Sequence, residues 1–335
     1  MKRNVVTLAA AFFLTAAVVC SLVFGVVPVS FSDVWQYLFL SFSGSSTSIE
    51  QDAVQYIRLP HLVLSFLIGA GLAVTGAVMQ AVMKNPLADP YLLGLSSGAS
   101  LGAVLAIAMG AGMVGGLDSV GVFAFLGAGA VSLLILLVAS VTGKGDHLTL
   151  LLSGFAMNAA CSAAVSFIVT AMANPSQTRS VQFWMMGQIM ADRWPVIAAL
   201  AVVTIGGILF FFSQSRILDL MLMGDDLSLS MGRNLAVYRK FYIMVTAVMV
   251  GSAVYCAGMI GFIGLLIPHA ARIVSGSAHR RLLPLSALLG GCFLAWADIL
   301  GRNAVSGMEI PIGITAALAG APFFVWVLFR RGGRA

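Results

Sequence analysis

Nine stretches of this 335-residue chain run for about the depth of a bilayer with almost no charge, and that leaves few folds open to it. They are Val5 to Val27, Leu59 to Met83, Pro90 to Leu117, Ser119 to Gly143, Leu148 to Thr178, Trp194 to Ser215, Phe241 to Ala271, Leu282 to Ala297, and Asn303 past Glu309 to Phe329. A helix needs about 20 apolar residues to cross the hydrocarbon core, which is roughly 30 Å thick. Only 9% of residues are charged, against about 25% in a soluble domain, so the chain is expected to be an all-α protein that crosses the membrane many times. Met1-Lys2-Arg3 mimics the start of a secretory signal, but Val5 to Val27 exceeds a signal core of about 7 to 15 residues, so it reads as a retained first helix.

The run Phe241 to Ala271 is too long for one span and carries Gly258, Gly261, Gly264 and Pro268. Glycine costs about 1 kcal/mol and proline about 3 within a helix, which predicts a break near Gly258 to Gly261 and a short helix ending around Pro268. That break brings the count to ten spans and places both termini on the same side. Cytoplasmic loops retain Lys and Arg. With the termini inside, only Arg58, Arg179, Arg193 and Arg302 lie outside, and the other fourteen of the 18 basic residues lie inside. The net charge of +6 is thus mostly a signal of topology, and no nucleic-acid partner is expected.

Four connections are polar. Ser30 to Ile57, outside, holds Asp33, Glu50, Asp52 and the patch SFSGSSTS; Ala173 to Arg193, also outside, offers Phe183, Trp184 and Trp194 as interfacial anchors. The longest inside segment, Ser213 to Lys240, sits within an otherwise undivided 1–335 membrane domain. In it Leu220, Met223, Leu227 and Met231 recur at near-helical spacing between Asp225, Asp226 and Ser230, which predicts a short amphipathic helix for a soluble partner's groove. The fourth is the inside turn KNPLADPYLLG. Pro86 and Pro90 bar helical geometry at Asn85 and Asp89, whose side chains can hold freed backbone groups. Gly94, Gly98 and Gly102, like Gly69, Ala73 and Ala77, form smooth stripes for close helix contact.

Chemistry is sparse. Cys20, Cys161, Cys256 and Cys292 stand alone, and His61 and His269 sit at run edges as polar end residues, so neither a metal site nor a catalytic nucleophile is expected. No phosphate loop is present; TGKGD at Thr142 to Asp146 lacks the upstream glycine and the hydroxyl residue after lysine. Ion-coupled carriers keep costly ionisable groups in mid-membrane. Here Asp298 and Glu309 lie toward the outer surface, and Asp298 stands four residues before Arg302 as an interfacial pair. A passive bundle with an external motor is the reading that remains, with a self-sufficient secondary carrier as the alternative.

Arg58 to Ala103, Gly258 to Arg302 and Glu309 to Arg331 resemble, as long ordered motifs, the FecCD-type permeases of iron-siderophore, haem and cobalamin ABC importers. The resemblance implies a type II ABC importer permease fold with ten helices. It also implies a second permease copy or paralogue, two cytoplasmic ATPase subunits that bind ATP and Mg, and an extracytoplasmic substrate-binding protein. The location implied is a bacterial or archaeal cytoplasmic membrane. Ferric siderophore is the first cargo it suggests, with haem or cobalamin next. By position, Arg58 and Arg302 match the family's outward arginines that receive the binding protein, and His61 stands where a third arginine is usual. The segment from Leu218 to Gly232, including Leu220, Met223, Gly224, Leu227, Met231 and Gly232, matches the ATPase-docking region, and the turn with Asn85, Pro86, Asp89 and Pro90 belongs to a signature that also shapes the inner gate.

Overall fold

The computed structural model describes residues 2–332 apart from 26, 28, 40–47, 142–146, 173, 190–192, 231, 233 and 306–307. Most of the SFSGSSTS patch, the TGKGD stretch and Met231 therefore lie outside the described residues. Helix α1 spans Lys2–Val23, α2 Phe31–Phe39 and α3 Ile49–Asp52, and a π turn at Ala53–Arg58 joins α3 to α4, Leu59–Val82. Then come α5 Leu95–Ala108, α6 Ser119–Val141, α7 His147–Ala171, α8 Pro175–Met185 and α9 Trp194–Ser213. The chain continues through α10 Ser215–Met223, α11 Asp225–Ser230, α12 Leu235–Ala257, α13 Ile263–Ser275, α14 His279–Asn303 and α15 Ile312–Gly332.

Among the described residues, 6 segments are long and apolar enough to cross a membrane, and the shorter apolar helices Phe12–Val23, Leu95–Ala108, Ile263–Ser275 and Ile312–Val325 complete the expected ten. The bundle is centred on α4, whose best window is 89% buried, whereas that of α7 is 22% buried. Lipid tails are as apolar as leucine, so helices in a bilayer associate by close packing instead of by escape from water. The glycine stripes supply it. A methyl group on Gly69 would overlap the carbonyl oxygen of Gly290, locking α4 to α14, and one on Gly102 would overlap that of Phe123, locking α5 to α6.

The break in Phe241 to Ala271 falls where glycine placed it: α12 ends at Ala257, Gly258 takes φ 63°, and Phe262, at φ 70°, leads into α13. The helix does not end at Pro268, however, but continues to Ser275. Proline removes the N–H that would have bonded to Gly264. The buried Gln80 amide on α4 fills the gap, its Nε2 lying 3.4 Å from the carbonyls of Gly264 and Leu265, so the freed group is satisfied inside the protein.

Other expectations are corrected. The outside segments are not plain loops, since α2, α3 and α8 form within them. Trp184 is 2% exposed beneath the Gly258 break and anchors no interface, whereas Phe183 and Trp194 are exposed. The run from Pro90 divides into a 3-10 turn at Pro90–Leu93, a left-handed Gly94, the short α5, and a small hairpin pairing Met113–Val114 with Leu117–Asp118.

Gly69→Val should cost at least about 2 kcal/mol of stability, as overpacking does. Gly129→Val, where a Cβ meets nothing within 4 Å, should cost far less, and thermal unfolding in nanodiscs compares the two.

Candidate functional site

The three residues expected to receive a binding protein are brought together at one end of the bundle, where α1, α4 and α14 meet. Asp298 joins two of them, His61 and Arg302. It is 5% exposed, accepts Arg302 Nε at 2.9 Å and Nη2 at 2.8 Å, and lies 3.3 Å from His61 Nδ1. Arg302 Nη2 also donates to Ser21 Oγ at 3.0 Å, which ties α14 to α1.

Arg58 corrects the expectation of an outward arginine. It is 3% exposed, and its guanidinium donates to the carbonyls of Leu22 at 2.6 Å, Val23 at 3.0 Å and Val27. The last carbonyls of a helix have no partner within it, and a cation there also meets the negative end of the dipole. In this structure Arg58 is thus the C-terminal cap of α1. An arginine at the edge of an apolar run looks outward in a sequence; only the fold reveals the carbonyls beneath it.

At the opposite end, the inner turn is tightly built. Lys84 takes φ 50°, Asn85 Oδ1 accepts from Leu87 N at 2.9 Å, and Ala88 N donates to Asn85 O at 3.0 Å. Asp89 Oδ1 accepts from Tyr91 N at 2.8 Å and so caps the 3-10 turn that begins with Pro90. The same carboxylate accepts from the backbone N–H of Leu265, in the first turn of α13. Phe262, at the N-cap of α13, supplies no side-chain cap, so Asp89 does this from another element. Burial pushes its carboxyl up to about 6 despite both N–H donors. Leu87, Asp89, Tyr91, Ser96, Met259, Gly261, Phe262 and Leu265 line a cavity of about 270 Å³ between the turn and the α12–α13 break.

The long inside segment forms two short helices instead of one. Gly224, at φ 115° and ψ 160°, separates α10 from α11. The sequence did carry the signal: a glycine followed by two aspartates suits a new helix start, where acidic groups meet the positive end. Leu218 and Met221 are buried and Leu220 is half-buried, whereas Leu222, Met223 and Leu229 are exposed at 41%, 64% and 59%. Leu227 lies on α11 and Gly232 in the exposed turn after it.

Two carboxylates, missed as functional in the sequence, fasten this segment to the bundle. Asp219 Oδ1 accepts from the backbone N–H of His279 at 2.9 Å and lies 2.7 Å from its Nδ1, capping α14 where Ala278 provides no side-chain cap. Asp225 pairs with Lys84 at 3.2 Å and with Arg239 of α12. Burial alone would push the Asp225 carboxyl up, but Arg239 and Lys84 outweigh it and hold it below the usual carboxylate range. Its folded-state value is depressed, so its contribution is present above about pH 4 and is lost only as acid passes that depressed value.

A bundle of ten apolar helices, polar at its ends and carrying an exposed apolar handle beside its inner turn, is the architecture of a transport permease. The sequence model of the FecCD transport family matches residues 13–330, and the chain belongs to that family. It is an ABC importer permease, not an enzyme, and ATP hydrolysis lies with partner subunits. The cobalamin import system permease protein BtuC of Halobacterium salinarum is 40% identical over 85% of this chain and 75% of its own. The hemin transport system permease protein HmuU of Yersinia pestis is 37% identical over 88% and 89%. YvrB, an ABC transporter permease protein of Bacillus subtilis that bears no substrate name, is 37% identical over 92% and 88%. An inward-facing ABC transporter structure, described as of metal-chelate type, matches 98% of this chain and 99% of its own with a TM-score of 0.84 and 28% identity. PsaBC from Streptococcus pneumoniae shares the fold at a TM-score of 0.58 and 16% identity.

Arg58→Ala should destabilise the chain by about 2 to 4 kcal/mol, because charge-assisted bonds to buried carbonyls are lost. Thermal unfolding of the purified chain checks this, and an unchanged midpoint would contradict the capping role.

Proposed function

We propose that this chain conducts a bulky metal chelate of the corrinoid or porphyrin class, cobalamin first and haem second. The names of two well-matched relatives support that choice. A ferric siderophore, the cargo suggested first by sequence resemblance, is named by none of the three relatives above.

The observation that carries the motor-driven reading is the set of exposed apolar side chains Leu222, Met223 and Leu229, on the segment that Asp225 ties to the turn at Lys84. Apolar side chains held out on short helices at a helix-bundle end suit a groove on a soluble partner. The partner is an ATPase subunit, two per transporter. A second permease copy or paralogue covers the broadly exposed α7, where Leu148, Leu152, Phe155 and Phe167 point outward. An extracytoplasmic binding protein docks at the other end, at His61 and Arg302, with Arg58 supporting that surface from beneath. Both termini then lie in the cytoplasm. Cargo passes by alternating access: closure of the motors pulls on α10 and α11, and these act on the spans to which Asp219 and Asp225 fasten them.

Met223→Asp combined with Leu229→Asp should release the ATPase from purified membranes at least about tenfold, since each buries an unpaired charge in the contact. Retained ATPase would overturn the handle. Calorimetric titration of the binding protein should show submicromolar affinity for cyanocobalamin or haem, and binding to a ferric siderophore alone would overturn the cargo assignment.

A further inference from the structure

The inner turn and the coupling segment are joined by a contact that neither sequence motif announces. Lys84, the first residue after the Met83 cap of α4, reaches across to Asp225, the first residue of α11, at 3.2 Å. Asp225 is simultaneously fixed by Arg239, itself 3% exposed, on α12. The ion pair therefore has one firm end on the coupling segment.

Its other end is firm as well. Lys84 holds a left-handed backbone, φ 50°, which a lysine adopts only where its surroundings impose it. Its N–H donates to Ala81 O at 3.2 Å, and the next N–H, of Asn85, donates to Gln80 O at 3.1 Å. From Asn85 the bonds to Leu87 and Ala88 carry rigidity along the turn as far as Asp89. Asp89 then grips the first turn of α13 and walls the cavity beneath the α12–α13 break. A succession of contacts thus runs from α11 into the turn whose last residues line the cavity.

We infer that the Lys84–Asp225 ion pair is the link through which displacement of the coupling segment moves the inner turn and, with it, the wall formed by Leu87 and Asp89. Lys84 is a positioning residue: it touches no cargo and acts through the turn. This rests on the motor-driven reading above. Apolar contacts alone would let α11 slide over the turn, whereas a charged pair whose ends are both fixed transmits a pull as well as a push. Lysine suits the task better than a short side chain because its ammonium reaches across the gap to Asp225.

The test follows the turn directly and needs no cargo. Leu87→Cys places a thiol on an exposed cavity-lining residue, 49% accessible in the parent. The complex of this variant with its ATPase, in nanodiscs, is labelled with a charged maleimide before and after trapping with ATP and vanadate, and the unmodified chain reports the background of its own cysteines. Trapping should change the labelling rate by roughly tenfold with Lys84 in place and by less than about twofold in Lys84→Met, a loss of the size that coupling substitutions produce. Lys84→Arg, which keeps charge and reach, should restore the response, and all three complexes should copurify with the ATPase and hydrolyse ATP at similar rates. A full response in Lys84→Met, no rescue by Lys84→Arg, or no response to trapping even with Lys84 would overturn the link. Failure of the parent chain to copurify with any ATPase would instead sink the motor-driven reading, which keeps the two failures distinct.

Discussion

Close backbone contact between glycine-bearing helices is the interaction on which this structure depends. In a bilayer there is no hydrophobic gain from bringing one apolar helix to another, so the fit must come from surfaces smooth enough to touch. Gly69 against Gly290 and Gly102 against Phe123 provide such surfaces and fix α4, α5, α6 and α14 as a frame. With that frame set by packing, the few polar groups are free to serve the ends of the helices.

They do so by a repeated device. Arg58 caps α1, Asp89 caps α13 and Asp219 caps α14, each from a different element of the chain. A helix end that cannot reach water must find a partner in the protein. Because each partner comes from another segment, satisfying the backbone also ties elements together. At one end of the bundle, polar contacts gather His61, Asp298 and Arg302 near Arg58. At the opposite end they bind α10 and α11 to α12, to α14 and to the residue that follows α4.

Much of this was legible in the sequence. Uncharged runs gave ten spans because membrane thickness sets a length that no core helix requires. The α12–α13 break was legible because glycine weakens a helix wherever it stands. The passage of α13 through Pro268 was not, since it relies on Gln80, remote in sequence. Nor was the burial of Arg58, whose role is defined by carbonyls more than 30 residues earlier. Asp225 was read as part of the polar side of an amphipathic helix and Asp219 drew no reading at all, because their partners lie on elements that the local pattern cannot name. Local propensity and length travel with the sequence; caps and ion pairs supplied from afar do not.

Whether this chain offers a path but no force is decided in reconstituted vesicles. Cyanocobalamin and haem are supplied with the binding protein, and accumulation is measured with the chain alone and with its ATPase in the presence of ATP. Accumulation against a gradient is expected only when ATPase and ATP are both present. Accumulation by the chain alone, driven by an ion gradient, would contradict that expectation.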